Sequence, residues 1–332
     1  MSSDLYASIL STGSYTPPKK ITNHDLEQMV DTTDEWIRTR VGIRERRIAE
    51  ADVASSDLGV VASQRAIDAA GIETDDIDLI LCSTVSPDML FPSTACLIAR
   101  GLGIEHETPA VDIAAACSGF SYGLHIASGL IRSRMHKTVL VTAAEMLTRY
   151  VNWQDRSTCV LFGDAAGAAI VQASEKPGGI LFTKIGAEPQ YADPDILSVP
   201  AGGARKPATK ETVENREHTI HMEGRKLFKI AVSLMPMVVK QVLDEAGMTP
   251  DDIDLLIPHQ MNVRIMGALA ERTGIDIEKV YSIVDRYGNT SSASAALALD
   301  EALAEGRIGE GSTVFLITFG AGWTWGANII RL

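Results

Sequence analysis

The sequence predicts an α/β protein that consists of two copies of one α/β half. The segment AGIETDDIDLILCSTV, which begins at Ala70, recurs from Ala246 as AGMTPDDIDLLIPHQM. A second pair, KTVLVTAAE at 137–145 and STVFLITFG at 312–320, falls at almost the same offset, about 175 residues. Around these matches, short apolar runs alternate with longer segments of helical period, which is typical of parallel strands joined by crossover helices.

Each half is predicted to contain the same elements in the same order. Continuous apolar runs predict strands that are buried on both faces, at 77–85, 137–144, 253–259 and 312–320. Apolar residues spaced three and four apart predict helices at 93–103, 118–135, 261–274 and 291–306. A further helix at 225–247 contains Pro236, which is expected to kink it.

The two halves are expected to divide at residue 172, into units 1–172 and 173–332. Within the second unit, residues 190–219 are rich in proline, glycine and charge, so a long surface loop or flap is expected there. Ligand pockets often form where related units meet. The interface between the halves is therefore the place to look for a site.

Composition limits the classes of function that the chain can have. Its 332 residues are 45% hydrophobic and 22% charged, as in soluble globular proteins. No apolar run approaches the roughly 18 residues that span a bilayer, and the first ten residues do not resemble a secretory signal, so the cytoplasm is expected. A net charge of −13 argues against nucleic acid and anionic membranes as partners.

Cysteine and histidine spacing predicts neither a disulfide framework nor a metal site. Four cysteines in a chain of this length form no CxxC pair, and no histidine combines with them at zinc-site spacing. The cysteines are interpreted as free thiols, and no resident metal or cofactor is expected. They are Cys82, Cys96, Cys117 and Cys159.

Cys117 differs from the other cysteines in its place along the chain. It lies in VDIAAACSGFSYG, where a predicted strand ends and a predicted helix begins. The N-terminus of a helix favours thiolate and is expected to lower the thiol pKa from about 8.5, and its backbone N–H groups can bind an oxyanion. An average free cysteine is instead buried and inert. Its place in the chain therefore does not decide whether Cys117 is a nucleophile or a small buried residue of the core.

Two polar residues of the second half occupy comparable positions. His259 ends a predicted buried strand, and Asn289 lies in a Gly-Asn-Thr-Ser turn that begins a helix. Taken singly, each is an ordinary strand-end or helix-capping residue. Because Cys117 and these two residues sit at corresponding strand-to-helix junctions, they are predicted to form one site. A glycine-rich turn at 318–326 offers backbone N–H groups that can approach a ligand closely.

Several motifs occur in an order that is specific when they are taken together. They are DTTDEWIRTRVGIRERR, FPSTA, DIAAACSGFSYGL, DRSTCVLFGDAAGA, PHQMNVRI, GNTSSASAALAL and FGAGWTWG. In these motifs, and nearly end to end, the chain resembles the β-ketoacyl-acyl-carrier-protein synthase III family. The resemblance implies a thiolase-like fold, in which the duplicated halves form a five-layered αβαβα arrangement.

The resemblance also implies a reaction. Cys117 would take a short acyl group, expected to be acetyl, from acyl-CoA, which is a substrate and not a cofactor. His259 and Asn289 would stabilise the enolate formed when malonyl-acyl carrier protein loses CO2, and condensation would give 3-oxoacyl-acyl carrier protein, the start of type II fatty acid synthesis. Backbone N–H groups of Cys117 and Ala321 would bind the oxyanion. The family also implies a homodimer.

Three sets of binding residues follow from the same resemblance. The coenzyme A contacts would be Thr32, Trp36, Arg40, Arg156 and Asn262. The acyl pocket would include Phe91, Leu147, Phe162 and Met222. The contacts to the acidic carrier protein would be Arg225, Lys226, Lys229 and Arg264, a local basic cluster on an otherwise acidic chain.

Other functions remain open at this stage. A homologue from secondary metabolism, or one that prefers longer or branched acyl groups, would keep the same three catalytic residues. Elongating synthases have a second histidine in place of Asn289, and thiolases have a second cysteine near the last glycine turn, which here has none. A cysteine hydrolase and a noncatalytic binding module are the alternatives outside the class. The chain departs from the family at Ala165, Ser292 and Ala321, and the last of these leaves acyl-chain preference open.

Overall fold

The computed structural model describes residues 5–332. Its strands, in chain order, are β1 (Tyr6–Tyr15), β2 (Lys20–Thr22), β3 (Glu45–Arg47), β4 (Leu79–Ser83), β5 (Ala110–Ile113), β6 (Thr138–Met146), β7 (Asp164–Ser174), β8 (Gly179–Ala187), β9 (Leu197–Ser198), β10 (His221–Met222), β11 (Leu255–Pro258), β12 (Thr313–Gly320) and β13 (Thr324–Arg331). The helices are α1 (Asn23–Glu27), α2 (Asp34–Val41), α3 (Ser55–Ala70), α4 (Thr94–Gly101), α5 (Gly119–Arg132), α6 (Lys210–Glu214), α7 (Gly224–Ala246), α8 (Val263–Thr273), α9 (Val284–Tyr287) and α10 (Ala293–Ala304).

Two larger sheets share one topology. The spatial order of the first is β1-β7-β6-β4-β5, and the second runs β8-β13-β12-β11. In each sheet the first two pairings are antiparallel and the third, β6 with β4 or β12 with β11, is parallel. Where β5 continues the first sheet, the second has a parallel bridge between Leu256 and Val280. The sheets are thus two copies of one arrangement, as the repeat predicts.

Helices and sheets stack in five layers. Helices α5 and α10 lie between the two sheets and share one core with the inner faces of both. Helices α3 and α4 cover the outer face of the first sheet, while α7 and α8 cover the outer face of the second. Most residues of α5 and α10 are buried, and both helices are rich in apolar and small residues. The αβαβα arrangement is therefore confirmed.

The repeated sequence produces the same local structure twice. Gly71 and Gly247 end α3 and α7 in the left-handed conformation, with φ of 65° and 66°, which glycine adopts without steric cost. A short 3-10 turn and a buried strand follow in each copy. Asp78 then accepts a hydrogen bond from the backbone N–H of Lys137 at 2.7 Å, and Asp254 accepts one from Thr313 at 2.7 Å. The DDIDL motif thus ties β4 to β6 and β11 to β12.

The predicted elements correspond to observed ones with small differences at their ends. The four predicted strands are β4, β6, β11 and β12, and the helices of the two halves are α4, α5, α8 and α10. Helix α7 continues through Pro236. The predicted surface loop at 190–219 is mostly exposed and contains β9 and α6. No helix among residues 5–332 is both long and apolar enough to cross a membrane.

Candidate active site

Cys117 lies in a tight turn between β5 and α5. Ala116, directly before it, has φ of +48°, a left-handed conformation that costs energy for a residue with a side chain. The turn is also packed closely from the second half: a Cβ on Gly320 would lie 2.8 Å from the backbone nitrogen of Cys117. Any larger residue at position 320 would therefore displace the turn. The side chain of Cys117 is 9% exposed and faces a cavity.

The pKa of Cys117 is opposite to the one expected from its place at a helix terminus. Burial raises the pKa of the thiol to about 12. The side chain of Ser291 lowers this pKa, the charge of Glu145 raises it, and the side chain of Asn289 lowers it. The prediction of a lowered pKa was wrong because loss of solvation outweighs the helix terminus at a thiol that is almost completely buried.

His259 follows β11 and reaches the same cavity. Its backbone N–H donates to Ile317 O at 2.8 Å, and its side chain is 6% exposed, with Nδ1 buried and unpartnered among the described residues. Burial lowers the pKa of His259 to about 4, so the ring is neutral at pH 7. The neighbouring Gln260, fully buried, donates to Tyr281 O and accepts from the Ile283 N–H, which ties the His259 turn to the segment that leads to Asn289.

Asn289 is held by both its backbone and its side chain. Its N–H donates to Leu161 O at 2.8 Å, and its carbonyl accepts from Gly163 N at 3.1 Å. The side-chain Oδ1 accepts from the Ser291 N–H at 2.8 Å. Because a backbone N–H can only donate, that contact identifies the amide oxygen and leaves Nδ2 as a donor towards the Cys117 sulfur.

The three predicted catalytic residues therefore meet in one largely apolar cavity. Cys117, His259 and Asn289 line it together with the Gly320–Gly322 turn, which includes Ala321. Cys117 comes from the first half, and the other two come from the second. The cavity thus lies between the halves, where the sequence places it.

A groove of about 420 Å³ leads from the surface to this cavity. The groove and the cavity share Leu161, Met222 and Met261 among their walls. Of the predicted coenzyme A contacts, Trp36, Arg40 and Asn262 line the groove. The other two differ. Arg156 stands over the Trp36 ring, 5.1 Å from Cζ to the ring centroid, and Thr32 is outside the groove wall.

A second cavity also has Cys117 in its wall. Phe162, Cys117 and Ala321 line both cavities, and Leu147 lines only the second. Met222, predicted for the acyl pocket, lies instead between the groove and the Cys117 cavity. Phe91 lines neither cavity and is 84% exposed. The described chain therefore does not bring Phe91 to either cavity, because the 88–92 segment lies on the protein surface.

The predicted basic cluster lies beside the mouth of the groove. Arg225, Lys226 and Lys229 are exposed on α7, and Arg264 is exposed on α8. Lys226 forms an ion pair with Asp193 at 2.8 Å. Arg225 and Arg264 also line the groove, whereas Lys229 does not. Within residues 5–332, no three His, Cys, Asp or Glu side chains are arranged to hold a metal ion.

Sequence reasoning missed three residues that shape the site. Ser291, with φ of +52°, places its side chain against the Cys117 sulfur. Ser118 donates to Thr324 Oγ1 at 2.8 Å, and Thr324 donates to Ala115 O at 2.9 Å, which ties the Cys117 turn to the last glycine turn. Each contact joins residues that lie far apart in the chain. Only the sequence SS after GNT offered a signal, and it was interpreted as helix capping.

The buried, neutral His259 predicts a dependence of stability on pH. Between pH 6.5, its ordinary pKa, and pH 4, the unfolded chain binds a proton that the folded chain excludes. The free energy of unfolding should therefore fall as the pH falls, by about 2 kcal/mol between about pH 7 and about pH 4.5. Urea unfolding at both pH values should show a smaller loss for His259→Gln than for the unchanged protein. The exposed His24→Gln is the control, and an equal loss in both variants would contradict the prediction.

A five-layered, duplicated α/β fold with cysteine, histidine and asparagine at the interface of its halves defines a protein of the thiolase-like class. Comparisons with known proteins agree with this. Residues 111–189 match the family model of 3-oxoacyl-[acyl-carrier-protein (ACP)] synthase III, and residues 243–332 match the model of the synthase III C terminal.

Full-length relatives identify the family. The beta-ketoacyl-[acyl-carrier-protein] synthase III of Caldanaerobacter subterraneus subsp. tengcongensis is 50% identical over 331 residues, which cover 100% of this chain and 99% of that protein. The crystal structure of 3-oxoacyl-[acyl-carrier-protein] synthase III from Aquifex aeolicus VF5 superposes with a TM-score of 0.89 at 44% identity, covering 98% of this chain and 100% of that one. The priming beta-ketosynthase of the R1128 polyketide pathway superposes with a TM-score of 0.89 at 34% identity, covering 98% of this chain and 96% of that one. The chain belongs to the 3-oxoacyl-[acyl-carrier-protein] synthase III family.

Proposed function

We propose that this chain is a β-ketoacyl-acyl-carrier-protein synthase III that transfers a short acyl group from acyl-CoA to Cys117 and condenses it with malonyl-acyl carrier protein. The observation that carries the proposal is the meeting of Cys117, His259 and Asn289 in one apolar cavity at the end of a groove. The names of full-length relatives support the same reaction.

The first step is acyl transfer to sulfur. The Cys117 sulfur attacks the thioester carbonyl, a C–S bond forms, and the bond to the sulfur of coenzyme A breaks. The thiol proton ends on the departing coenzyme A sulfur. With a pKa of about 12, the thiol of Cys117 loses its proton only as the C–S bond forms. The neutral ring of His259 would contribute less to this proton transfer than to the enolate step.

The second step forms the new carbon–carbon bond. Malonyl-acyl carrier protein loses CO2, and the electron pair of the broken C–C bond moves into an enolate. Asn289 Nδ2 and the N–H of a neutral His259 would donate to the enolate oxygen. The enolate carbon attacks the acyl-cysteine carbonyl, and the Cys117 thiolate leaves and takes up a proton. Low polarity in the cavity strengthens these hydrogen bonds and favours loss of a charged carboxylate as neutral CO2.

Backbone N–H groups of Cys117 and Ala321 would bind the oxyanion in the acyl-transfer and condensation steps. Support comes from the close approach of the turn that begins at Gly320 to the Cys117 nitrogen. The methyl group of Ala321 borders both cavities. It would therefore narrow the passage between the acyl group on Cys117 and the second cavity.

The groove would hold coenzyme A. Trp36 offers an aromatic face for the adenine, and the planar guanidinium of Arg156 would cover the other face. Arg40, also beside the Trp36 ring, would contact a phosphate. Arg156 would have to leave the Trp36 ring before a base could stack there, which its exposed position permits. Asn262 would contact the ligand along the groove wall. Thr32 would act through the loop before α2 instead.

Charge reversal at Lys229 tests the carrier-protein surface. Lys229 is exposed and outside the groove, whereas Arg264 lines it and would affect both substrates. Lys229→Glu should raise KM for malonyl-acyl carrier protein about threefold to fivefold, the effect of an exposed charge pair, and leave acyl loading from acyl-CoA unchanged. Arg100→Glu, an equal charge change on α4, is the control. Equal effects on both substrates would contradict the assignment.

The homodimer is part of the proposal. Leu90 and Phe91 are each 84% exposed, and Val111 on the edge strand β5 is 50% exposed. Asp112 of β5 accepts hydrogen bonds from Thr94 N and Ala95 N at the start of α4. The loop that contains Leu90 and Phe91 directly precedes α4 and therefore lies beside the edge of β5. A large exposed apolar patch next to an unpaired strand edge is typical of an interface. Phe91 would then belong to the interface.

Two further parts of the proposal concern the units of the chain and its compartment. The halves 1–172 and 173–332 would act as the units that supply Cys117 and the His259–Asn289 pair. The cytoplasm would be the compartment in which acyl-CoA and the carrier protein are met. Neither statement affects the chemistry proposed for the cavity.

Mass spectrometry tests the proposed function directly. After exposure to acetyl-CoA, an acyl group should be found on Cys117, and later addition of malonyl-acyl carrier protein should release it as 3-oxoacyl-acyl carrier protein. Release as a free acid without the carrier would indicate a hydrolase instead. A panel of branched and longer acyl-CoAs tests the second candidate, a synthase with a different acyl preference, which the cavity beyond Cys117 and the R1128 relative favour.

A further inference from the structure

Glu145 is a buried acid for which the reaction described above has no use. It is the residue before the last of β6, where it pairs with Ala165 of β7, and it is 0% exposed. Burying a carboxylate is costly unless hydrogen bonds compensate for the lost water. The environment of Glu145 therefore needs a structural or chemical reason.

Hydrogen-bond donors from both halves reach the carboxylate. From the first half, Oε2 accepts from Ser86 Oγ at 2.7 Å, Val85 N at 3.0 Å and Thr84 Oγ1 at 3.4 Å. From the second half, Oε1 accepts from Ser292 Oγ at 2.7 Å and Ser292 N at 3.4 Å. Burial raises the pKa of Glu145, and these hydrogen bonds oppose that shift. Because each partner donates, they favour the carboxylate form, which only accepts.

Ser292 links Glu145 to the catalytic cavity. It directly precedes α10 and follows Ser291, whose left-handed backbone must be held by its surroundings. The Ser291 N–H fixes Asn289 Oδ1, and the side chains of both residues lower the pKa of the Cys117 thiol, which places both beside the sulfur. A shift of Ser292 would therefore move both groups relative to sulfur.

The duplication of the chain supports a role at this position. Glu145 and Gly320 are separated by the same offset as Lys137 and Ser312, so they occupy equivalent places at the ends of β6 and β12. Gly320 packs against the turn before α5 in the opposite half. Glu145 makes the equivalent contact with the turn before α10. Each strand end thus holds the turn that begins the other half's central helix.

We propose that Glu145 is a positioning residue whose carboxylate holds the Asn289–Ser292 turn against Cys117, and whose negative charge disfavours ionisation of the thiol. The test by condensation rate rests on the proposed function, whereas the test by alkylation of Cys117 does not. The other titratable groups that face Glu145 are Cys82 on β4, Cys117 and Tyr150.

Glu145→Gln removes the charge and keeps the shape. Without the anion, Cys117 should form thiolate more readily, so its alkylation by iodoacetamide at about pH 8 should become about tenfold faster. Condensation should become at least about tenfold slower, because the amide cannot accept all the hydrogen bonds and the turn shifts. Peptide mass spectrometry measures alkylation at each cysteine, and buried Cys159 must stay protected, which shows that the fold is intact.

Two further variants separate charge from structure. Glu145→Asp keeps the charge on a shorter side chain, so condensation should fall at least about fivefold while the alkylation rate of Cys117 stays within about twofold. Asp164→Asn removes the charge of another fully buried carboxylate, one that accepts from Ala49 N, Thr148 N and Thr148 Oγ1, and it should not change Cys117 alkylation.

Three results would overturn the proposal. The first is a Glu145→Gln variant whose rates of Cys117 alkylation and of condensation both equal those of the unchanged protein. The second is a Glu145→Asp variant that accelerates alkylation as much as Glu145→Gln does. The third is the same acceleration in Asp164→Asn. If Glu145→Gln does not fold, unchanged condensation in Glu145→Asp decides against it. Failure of the unchanged protein to take an acyl group from acyl-CoA would instead refute the proposed function, and the alkylation comparison would still stand.

Discussion

Replacement of Cys117 by alanine is expected to lower condensation by at least about a thousandfold, because no other side chain can hold the acyl group. Mass spectrometry should find no acyl adduct on the variant after exposure to acyl-CoA. Decarboxylation of malonyl-acyl carrier protein should persist, since His259 and Asn289 remain in place to stabilise the enolate. The variant therefore separates the role of the thiol from the role of the two donors.

The matched control is Cys82→Ala. Cys82 is a fully buried cysteine in β4 that lines neither cavity of the site, so its loss should leave acyl loading intact. Condensation that survives in Cys117→Ala, or an acyl group found on another residue of that variant, would show that Cys117 is not the nucleophile. Loss of loading in both variants would point to a defect of folding instead.

Replacement of His259 by alanine is expected to lower the rate of condensation by about a hundredfold to a thousandfold, the usual effect of removing one donor to a developing oxyanion. Loss of malonyl decarboxylation should accompany it. Acyl loading on Cys117 should fall much less, because attack on a thioester does not pass through the enolate. Single-turnover measurements of loading and of CO2 release distinguish the two steps.

His24→Ala removes an exposed histidine that forms an ion pair with Glu27 far along the chain from the cavity, and it should change neither step. A His259→Ala variant that loses loading and CO2 release equally would show that the ring acts mainly as a base for Cys117. Unchanged CO2 release would exclude His259 as a donor to the enolate.

Much of the fold follows from local signals in the sequence. The glycines that end α3 and α7, the DDIDL motif and the apolar runs of β4, β6, β11 and β12 all act over a few residues. Such signals do not depend on the rest of the chain, and the duplication made each one visible twice. The order of these four strands and of the helices between them could therefore be predicted without coordinates, whereas the antiparallel strands β1, β7, β8 and β13 were not predicted.

The candidate site could be predicted only in part. Cys117, His259 and Asn289 stand next to recognisable strand and helix ends, which is why the sequence marks them. Phe91, predicted for the acyl pocket, lies on an exposed loop, and its exposure depends on what packs beside that loop. Thr32 lies outside the groove to which the resemblance assigned it. Met222, assigned to the acyl pocket, lines both the groove and the Cys117 cavity.

The sequence by itself determined the duplicated α/β architecture, the family and the three residues of the cavity, because short contiguous motifs specify each of them. Tertiary structure alone decided the sign of the Cys117 pKa shift, since enclosure by both halves removes the water that would solvate a thiolate. It also decided the contact between Glu145 and Ser292, which are 147 positions apart. Such contacts arise only when the two halves pack together, and no local pattern records them.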